Sequence, residues 1–158
     1  MASDVTVRSA RPGEAAALTA LAVRSKAHWG YDDAFMQMSQ ASLTVSDADV
    51  ASGCVLVAER QGLLFGMVKV EPDGELGMMF VDPLCLNRGV GRALFDAAVA
   101  LARRQGAVAL EAWPLSSSEA RSADAFVGRE QLFTEFGFRC VERPVSARAI
   151  MRLDLSPV

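Results

Sequence analysis

The chain has 158 residues, 51% of them hydrophobic and 22% charged, which fits one domain around one core and excludes a disordered or fibrous chain. A net charge of -3 gives no general attraction to nucleic acid or to an anionic membrane. No apolar stretch reaches the roughly 18 residues of a membrane span, so the expectation is a cytoplasmic protein whose partner is a small molecule or a protein.

The N-terminal stretch Met1 to Val7 contains Asp4 and has no basic segment leading into an apolar one, so no secretory signal is readable. Thr6 to Ser9 reads as a short strand. Pro12-Gly13-Glu14 then opens a helix in which Leu18, Leu21, Ala22 and Ser25 recur at helical spacing. His28-Trp29-Gly30-Tyr31 interrupts it, and Asp32-Asp33 starts a second helix toward Leu43 with carboxylates favourably placed against the helix dipole. Three strands follow, Cys54 to Glu59, Leu63 to Glu71 and Glu75 to Val81; the turns Gln61-Gly62 and Pro72-Asp73-Gly74 make them an antiparallel meander. From Gly89 to Gln105, Val90, Leu94, Ala98 and Leu101 line one helix face, and Gly106 ends the helix. Val108 to Ala112 is a further strand, parallel to its predecessor because a helix crosses between them. Trp113 to Gly128 has no strong period and reads as a loop, followed by a short helix from about Arg129 to Phe136 capped by Gly137. Phe138 to Glu142 and Ala149 to Leu155 close the chain as a hairpin around Arg143-Pro144. Cys54, Cys85 and Cys140 are odd in number and lack CxxC spacing, so they are expected to be free thiols, with Cys54 and Cys140 as small core residues in strands.

Chemistry concentrates where the strand ending at Val81 passes through Asp82-Pro83-Leu84-Cys85-Leu86-Asn87-Arg88 into the helix that begins Gly89-Val90-Gly91-Arg92. Unpaired N–H groups and the positive end of the dipole converge at such a helix start, and glycine lets a phosphate come close to the backbone. Gly89 and Gly91 are therefore candidate phosphate-loop residues, with Arg88 and Arg92 as auxiliary charges. A tight turn or close helix packing would call for the same glycines. A dinucleotide site would want a third glycine near Leu94 and could use Glu111 as its ribose-binding acid. That fingerprint belongs after the first strand of a parallel βαβ unit, whereas an antiparallel meander comes first here.

With Val81-Asp82-Pro83 as V-x-P and Gly89 and Gly91 at the glycine positions of Q/R-x-x-G-x-G/A, the chain resembles the GNAT family, the GCN5-related N-acetyltransferases. Phe133-Thr134-Glu135-Phe136-Gly137-Phe138 is similar to the family's Y-x-x-x-G-F signature, and the two motifs come in the family's order. Two positions depart from the pattern. Leu86 stands where Gln or Arg is usual, which removes side-chain help to the pyrophosphate and leaves the backbone donors. Phe133 replaces the tyrosine that commonly protonates the departing thiolate, and a phenyl ring has no proton to give.

The resemblance implies an α/β fold over residues 1–158, a single domain with a mixed, mainly antiparallel sheet splayed between its fourth and fifth strands and flanked by helices. It implies acetyl-CoA as co-substrate, bound by Phe80, Val81, Leu86, Asn87, Arg88, Gly89, Val90, Gly91, Arg92 and Phe133, with no metal. The implied reaction is direct attack of a primary amine of a small molecule or peptide on the thioester, with a backbone N–H near Phe80 or Val81 for the oxyanion. Glu75, six positions before Val81, matches the spacing of the catalytic glutamate in the family's histone-type members; Glu111 is the second candidate, and Glu75 also reads simply as a carboxylate at a turn. The resemblance places His28, Trp29 and Tyr31 beside the acceptor, though helix packing for Trp29 and a structural hydrogen bond for His28 explain them equally well. The Ser116-Ser117-Ser118 run reads as solvated loop. Homodimerisation is implied by resemblance alone. Two further readings stay open: a non-catalytic acyl-CoA-binding or regulatory domain, suggested by Phe133, and a nucleotide-binding oxidoreductase.

Overall fold

Val55, Leu56, Val57 and Ala58 are apolar in succession and all four are buried, the pattern of a strand covered on both faces. In a computed structural model of the protein this segment is the centre of the first of two sheets; the structure describes residues 5–28, 30–86, 88–112, 130–145 and 148–155. Strands β1 (Thr6–Ser9), β2 (Val55–Arg60), β3 (Leu63–Val70) and β4 (Leu76–Val81) pair antiparallel in chain order. The expected meander is present, each strand within a residue or two of its expected ends.

Alternation sorts the side chains onto two layers. Val55, Val57, Met67, Met78 and Phe80 meet Leu18, Leu21 and Ala22 of helix α1 (Ala15–Ala27). Leu56, Ala58, Val68 and Val70 meet Val90, Leu94, Phe95 and Ala98 of helix α4 (Val90–Arg104). Helix α2 (Asp33–Leu43) starts where the paired aspartates predict, with the Asp32 side chain accepting from the Phe35 N–H at 2.8 Å. Helix α3 (Asp47–Ala51) is an addition to the expected elements. Ser46 and Asp49 close a reciprocal capping box there, which lets five residues hold one turn.

The second sheet has the order β5 (Ala109–Ala112), β7 (Arg148–Asp154), β6 (Arg139–Val145), all antiparallel, with helix α5 (Glu130–Glu135) ahead of β6. The two antiparallel sheets meet where the described β4 and β5 share a single parallel bridge, Glu75 to Glu111. The expected turn at Arg143-Pro144 is corrected: both residues lie within β6. That strand is an edge with a shifted register at this point, a place where proline's missing N–H costs no ladder bond. Cys140 is also corrected, being exposed on the same edge strand, while Cys54 and Cys85 are buried; all three are free thiols. No helix among the described residues is long and apolar enough to cross a membrane. Trp29, Asn87 and the segment Trp113 to Gly128 with its serine run lie outside the described residues.

Candidate functional site

Helix α4 leaves its first turn open. Gly89 is its N-cap, at φ +80° and ψ 4°, and among the described residues no side chain caps the helix. The first intrahelical bond runs from the Ala93 N–H to the Gly89 carbonyl at 3.0 Å, so the N–H groups of Val90, Gly91 and Arg92 have no partner within the helix. By contrast α2 and α3 are capped by Asp32 and Ser46. No acidic residue lies in the first turn of α4. Arg88 and Gly89 are exposed and Val90 is buried. Arg92 Nε makes a 3.3 Å ion pair with Asp96, and its guanidinium lies 5.2 Å from the centre of the Phe136 ring.

The two glycines differ in what they do. Gly89 needs the left-handed backbone, which a side chain resists. Gly91 has no such need: a Cβ there would find ordinary contacts, Met79 Cε at 3.8 Å and Val81 Cγ2 at 4.0 Å. The protein's own packing does not require a glycine at 91.

The loop before α4 is tied down by Asp82. Its N–H donates to the Phe65 carbonyl at 2.8 Å, its Oδ1 accepts from the Leu84 N–H at 2.9 Å, and its Oδ2 pairs with Arg24 of α1 at 3.1 Å. Pro83–Cys85 then forms one 3-10 turn, and Leu86 follows it half-buried. Burial raises the Cys85 thiol pKa, with Asp82 adding to the effect, which disfavours the thiolate.

The Asp82–Phe65 bond also sets the phase of the β3–β4 ladder. Backbone groups alternate along an antiparallel pair, so Phe80, opposite Met67, turns its N–H to β3, whereas Val81 and Met79 turn theirs to the other edge. Phe80's ring is in the α1-side core. Of the two residues expected near the oxyanion, Val81 has the available geometry, and Met79 joins it.

Glu75 and Glu111 are brought together by the bridge between the sheets, with the Glu111 N–H donating to the Gly74 carbonyl at 3.0 Å. Their carboxylates differ. Glu111 Oε1 is 3.2 Å from Arg152 Nη1 on the neighbouring strand. Glu75 is exposed and has no ion pair among the described residues. It lines a cavity of about 670 Å³ whose other walls include Ala41, Ser42, Thr44, Lys69 and Asp73. Gly77 explains why Glu75 faces this way. The register steps from Lys69–Met78 to Val70–Leu76, so Gly77 is an extra residue bulged out of β4. A Cβ there would lie 2.8 Å from Glu71 Oε1.

At the joint of α1 and α2, His28 is exposed and C-caps α1 with its N–H toward the Arg24 carbonyl. The Tyr31 ring stacks on Phe35 with centroids 4.3 Å apart. Lys26, 2% exposed, holds its Nζ 4.8 Å from the Phe35 centroid and 5.4 Å from that of Tyr31, and burial lowers its pKa. Lys26 and Phe35 were not among the sequence candidates; their signal is weak, a lysine on an apolar helix stripe and an aromatic four residues after Tyr31. Phe133 is 5% exposed and meets Phe138 edge-on at 5.2 Å.

A family model described as an acetyltransferase (GNAT) domain matches residues 51–140. The solved structure of a GCN5-related N-acetyltransferase from Rhodopseudomonas palustris is 27% identical, covers 98% of this chain and 98% of that one, and superposes with a TM-score of 0.71. PaiA N-acetyltransferase from Thermoplasma acidophilum, in complex with coenzyme A, is 14% identical over 95% of this chain and 98% of that one, with a TM-score of 0.75. A GNAT family acetyltransferase from Brucella melitensis in complex with acetyl-CoA is 21% identical over 97% and 89%, with a TM-score of 0.66. The last two are likenesses of fold. No curated protein matches the chain.

Proposed function

The chain belongs to the GNAT acetyltransferases, and from that premise we propose that it transfers the acetyl group of acetyl-CoA to a primary amine by direct attack. The observation that carries this reading is the uncapped start of α4 set at the end of β4, beside a β4 edge where Val81 turns its backbone outward. Three N–H groups without a partner among the described residues, the positive end of a 15-residue helix and Arg88 suit the pyrophosphate of coenzyme A. The small Gly91 leaves the room it needs. The coenzyme A and acetyl-CoA complexes of the structural neighbours support the same choice of donor.

The residues then divide the work. Val81 and Met79 present N–H groups toward the edge along which the thioester would lie, where developing charge on its carbonyl oxygen is stabilised. Glu75, unpaired among the described residues, takes the proton from the attacking amine directly or through water. The C–N bond forms, the C–S bond breaks, and the sulfur leaves as thiolate. A thiol pKa of about 8.5 lets water protonate it, so Phe133 does not bar turnover. Glu111, engaged by Arg152, is the less available carboxylate.

Thermal shift with coenzyme A, followed by thiol release from acetyl-CoA against an amine panel, tests the reading. Stabilisation by coenzyme A together with amine-dependent thiol release is expected. Coenzyme A binding without thiol release for any amine would support a non-catalytic binding domain instead.

A further inference from the structure

Gly66 stands in the interior of β3, where a glycine weakens the strand and brings no side chain to the core. Its φ is not positive, so no turn calls for it. It is buried on the α4 side of the sheet, in phase with Val68 and Val70. A Cβ there would lie 2.9 Å from Leu94 Cδ1, 2.9 Å from the Phe80 carbonyl oxygen and 3.1 Å from Val90 Cγ1, all tighter than ordinary van der Waals contact. Leu94 and Val90 are 0% and 1% exposed, in a close-packed layer that leaves them little room to swing aside. The place of a side chain is therefore taken by the start of α4, which sits down on the β3 backbone.

Both halves of the donor site rest on this position. Val90, whose methyl lies over Gly66, bears one of the N–H groups at the open end of α4. Val81, which turns its N–H to the outer edge of β4, is the partner of Gly66 across the ladder. Phe65, the residue before, accepts the Asp82 N–H at 2.8 Å and so fixes the end of β4. The height of α4 above the sheet thus sets the spacing between the groups assigned to the pyrophosphate and those assigned to the thioester. A ligand that spans both feels that spacing, and reacting geometry has to be held within about 0.5 Å. A methyl at Gly66 would force the first turn of α4 or the Phe80 carbonyl to move. We propose that Gly66 is a positioning residue for acetyl transfer: its missing side chain seats α4 against β3 and fixes the reach from the pyrophosphate site to Val81. This rests on the acetyltransferase reading above. Gly66 is buried and acts through Val90 and Val81.

Gly66→Ala is tested by kcat/KM for acetyl-CoA in thiol release and by calorimetric titration with coenzyme A, at a temperature where circular dichroism shows each variant folded. kcat/KM is expected to fall at least about tenfold, and the coenzyme A Kd to rise at least about threefold. Ala98→Gly, on the same buried face of α4 about two turns further on, is the control for lost stability. It should lower Tm and change kcat/KM and Kd less than about twofold. Gly66→Ala/Leu94→Val trims the side chain that the new methyl meets and leaves the Phe80 and Val90 contacts. Its kcat/KM is expected at least about threefold above that of Gly66→Ala and below that of Leu94→Val. Wild-type kcat/KM and Kd in folded Gly66→Ala, or losses no larger than those of Ala98→Gly, overturn the inference and leave the acetyltransferase standing. If Gly66→Ala does not fold, the double variant is compared with Leu94→Val: weaker coenzyme A binding upholds the inference, and equal binding overturns it. Wild-type protein that neither binds coenzyme A nor releases thiol overturns the underlying reading instead.

Discussion

Adding one methyl group at Gly91 separates a glycine kept for a ligand from one kept for the fold. The new Cβ of Gly91→Ala would sit 3.8 Å from Met79 Cε and 4.0 Å from Val81 Cγ2, ordinary contacts with nothing to displace. Replacing a helical glycine by alanine stabilises by roughly 0.5–1 kcal/mol, and for a chain of this size about 1 kcal/mol moves Tm by roughly 2–4 °C. Gly91→Ala is therefore expected to raise Tm slightly in the absence of ligand. The same methyl would stand in the approach of the pyrophosphate to the backbone, so coenzyme A affinity is expected to fall at least about tenfold, or about 1.4 kcal/mol. Gly89→Ala is the counterpart. Its φ of +80° makes alanine cost roughly 1–2 kcal/mol, and both Tm and affinity should drop. Differential scanning fluorimetry gives the first quantity and isothermal titration calorimetry the second. If Gly91→Ala raises Tm and binds coenzyme A as the wild type does, the pyrophosphate does not approach the backbone there and the site assignment fails.

Glu75→Gln should lower kcat by about 10²–10⁴ while coenzyme A affinity stays; wild-type turnover would move the base elsewhere. Glu111→Gln should change kcat less than threefold and lower stability by no more than about 1 kcal/mol, because its ion pair with Arg152 is partly exposed. A larger loss of kcat at unchanged Tm would reverse the roles of the two glutamates. Phe133→Ala should cost about 3–5 kcal/mol, since the ring is buried against Phe138; a denaturant midpoint equal to the wild type's would refute that packing. The Asp49 carboxyl is held below the usual range by the Ser46 N–H first and then by Lys69. A depressed folded pKa stabilises above the unfolded value of about 3.9 and ceases to do so as pH falls through the folded one. The stability gap between wild type and Asp49→Asn should accordingly be full at neutral pH and close below about pH 4, as read by urea unfolding at several pH values.

Most elements were legible locally because their signals are local. Asp32 announces α2 by capping it, Gly89 and Gly106 bracket α4 with positive φ, and the apolar run from Val55 marks a strand covered twice. The departures are also physical. The single turn of α3 is too short for periodicity to reveal and rests on the reciprocal bonds of Ser46 and Asp49. Pro144 reads as a turn residue, and only the position of β6 at a sheet edge shows why a strand tolerates it. Cys140 carries no mark of which face it occupies, and it is exposed.

The candidate site divides in the same way. The half proposed to bind an anion is a property of contiguous residues, since a glycine-punctuated strand-to-helix junction exposes N–H groups wherever it is folded. Which backbone groups of β4 are available is not such a property, because Phe80 and Val81 exchange roles with a one-residue change in ladder phase, and the pairing of Asp82 with Phe65 decides it. Glu75 is the sharpest case. Six positions separate it from Val81, and strict alternation would put both side chains on the α4 face. The extra residue at Gly77 reverses the phase, so Glu75 opens instead into the cavity under α2. The candidate donor-site residues and the candidate base were present in the sequence; the face on which Glu75 lies came from a bulge that only strand pairing creates.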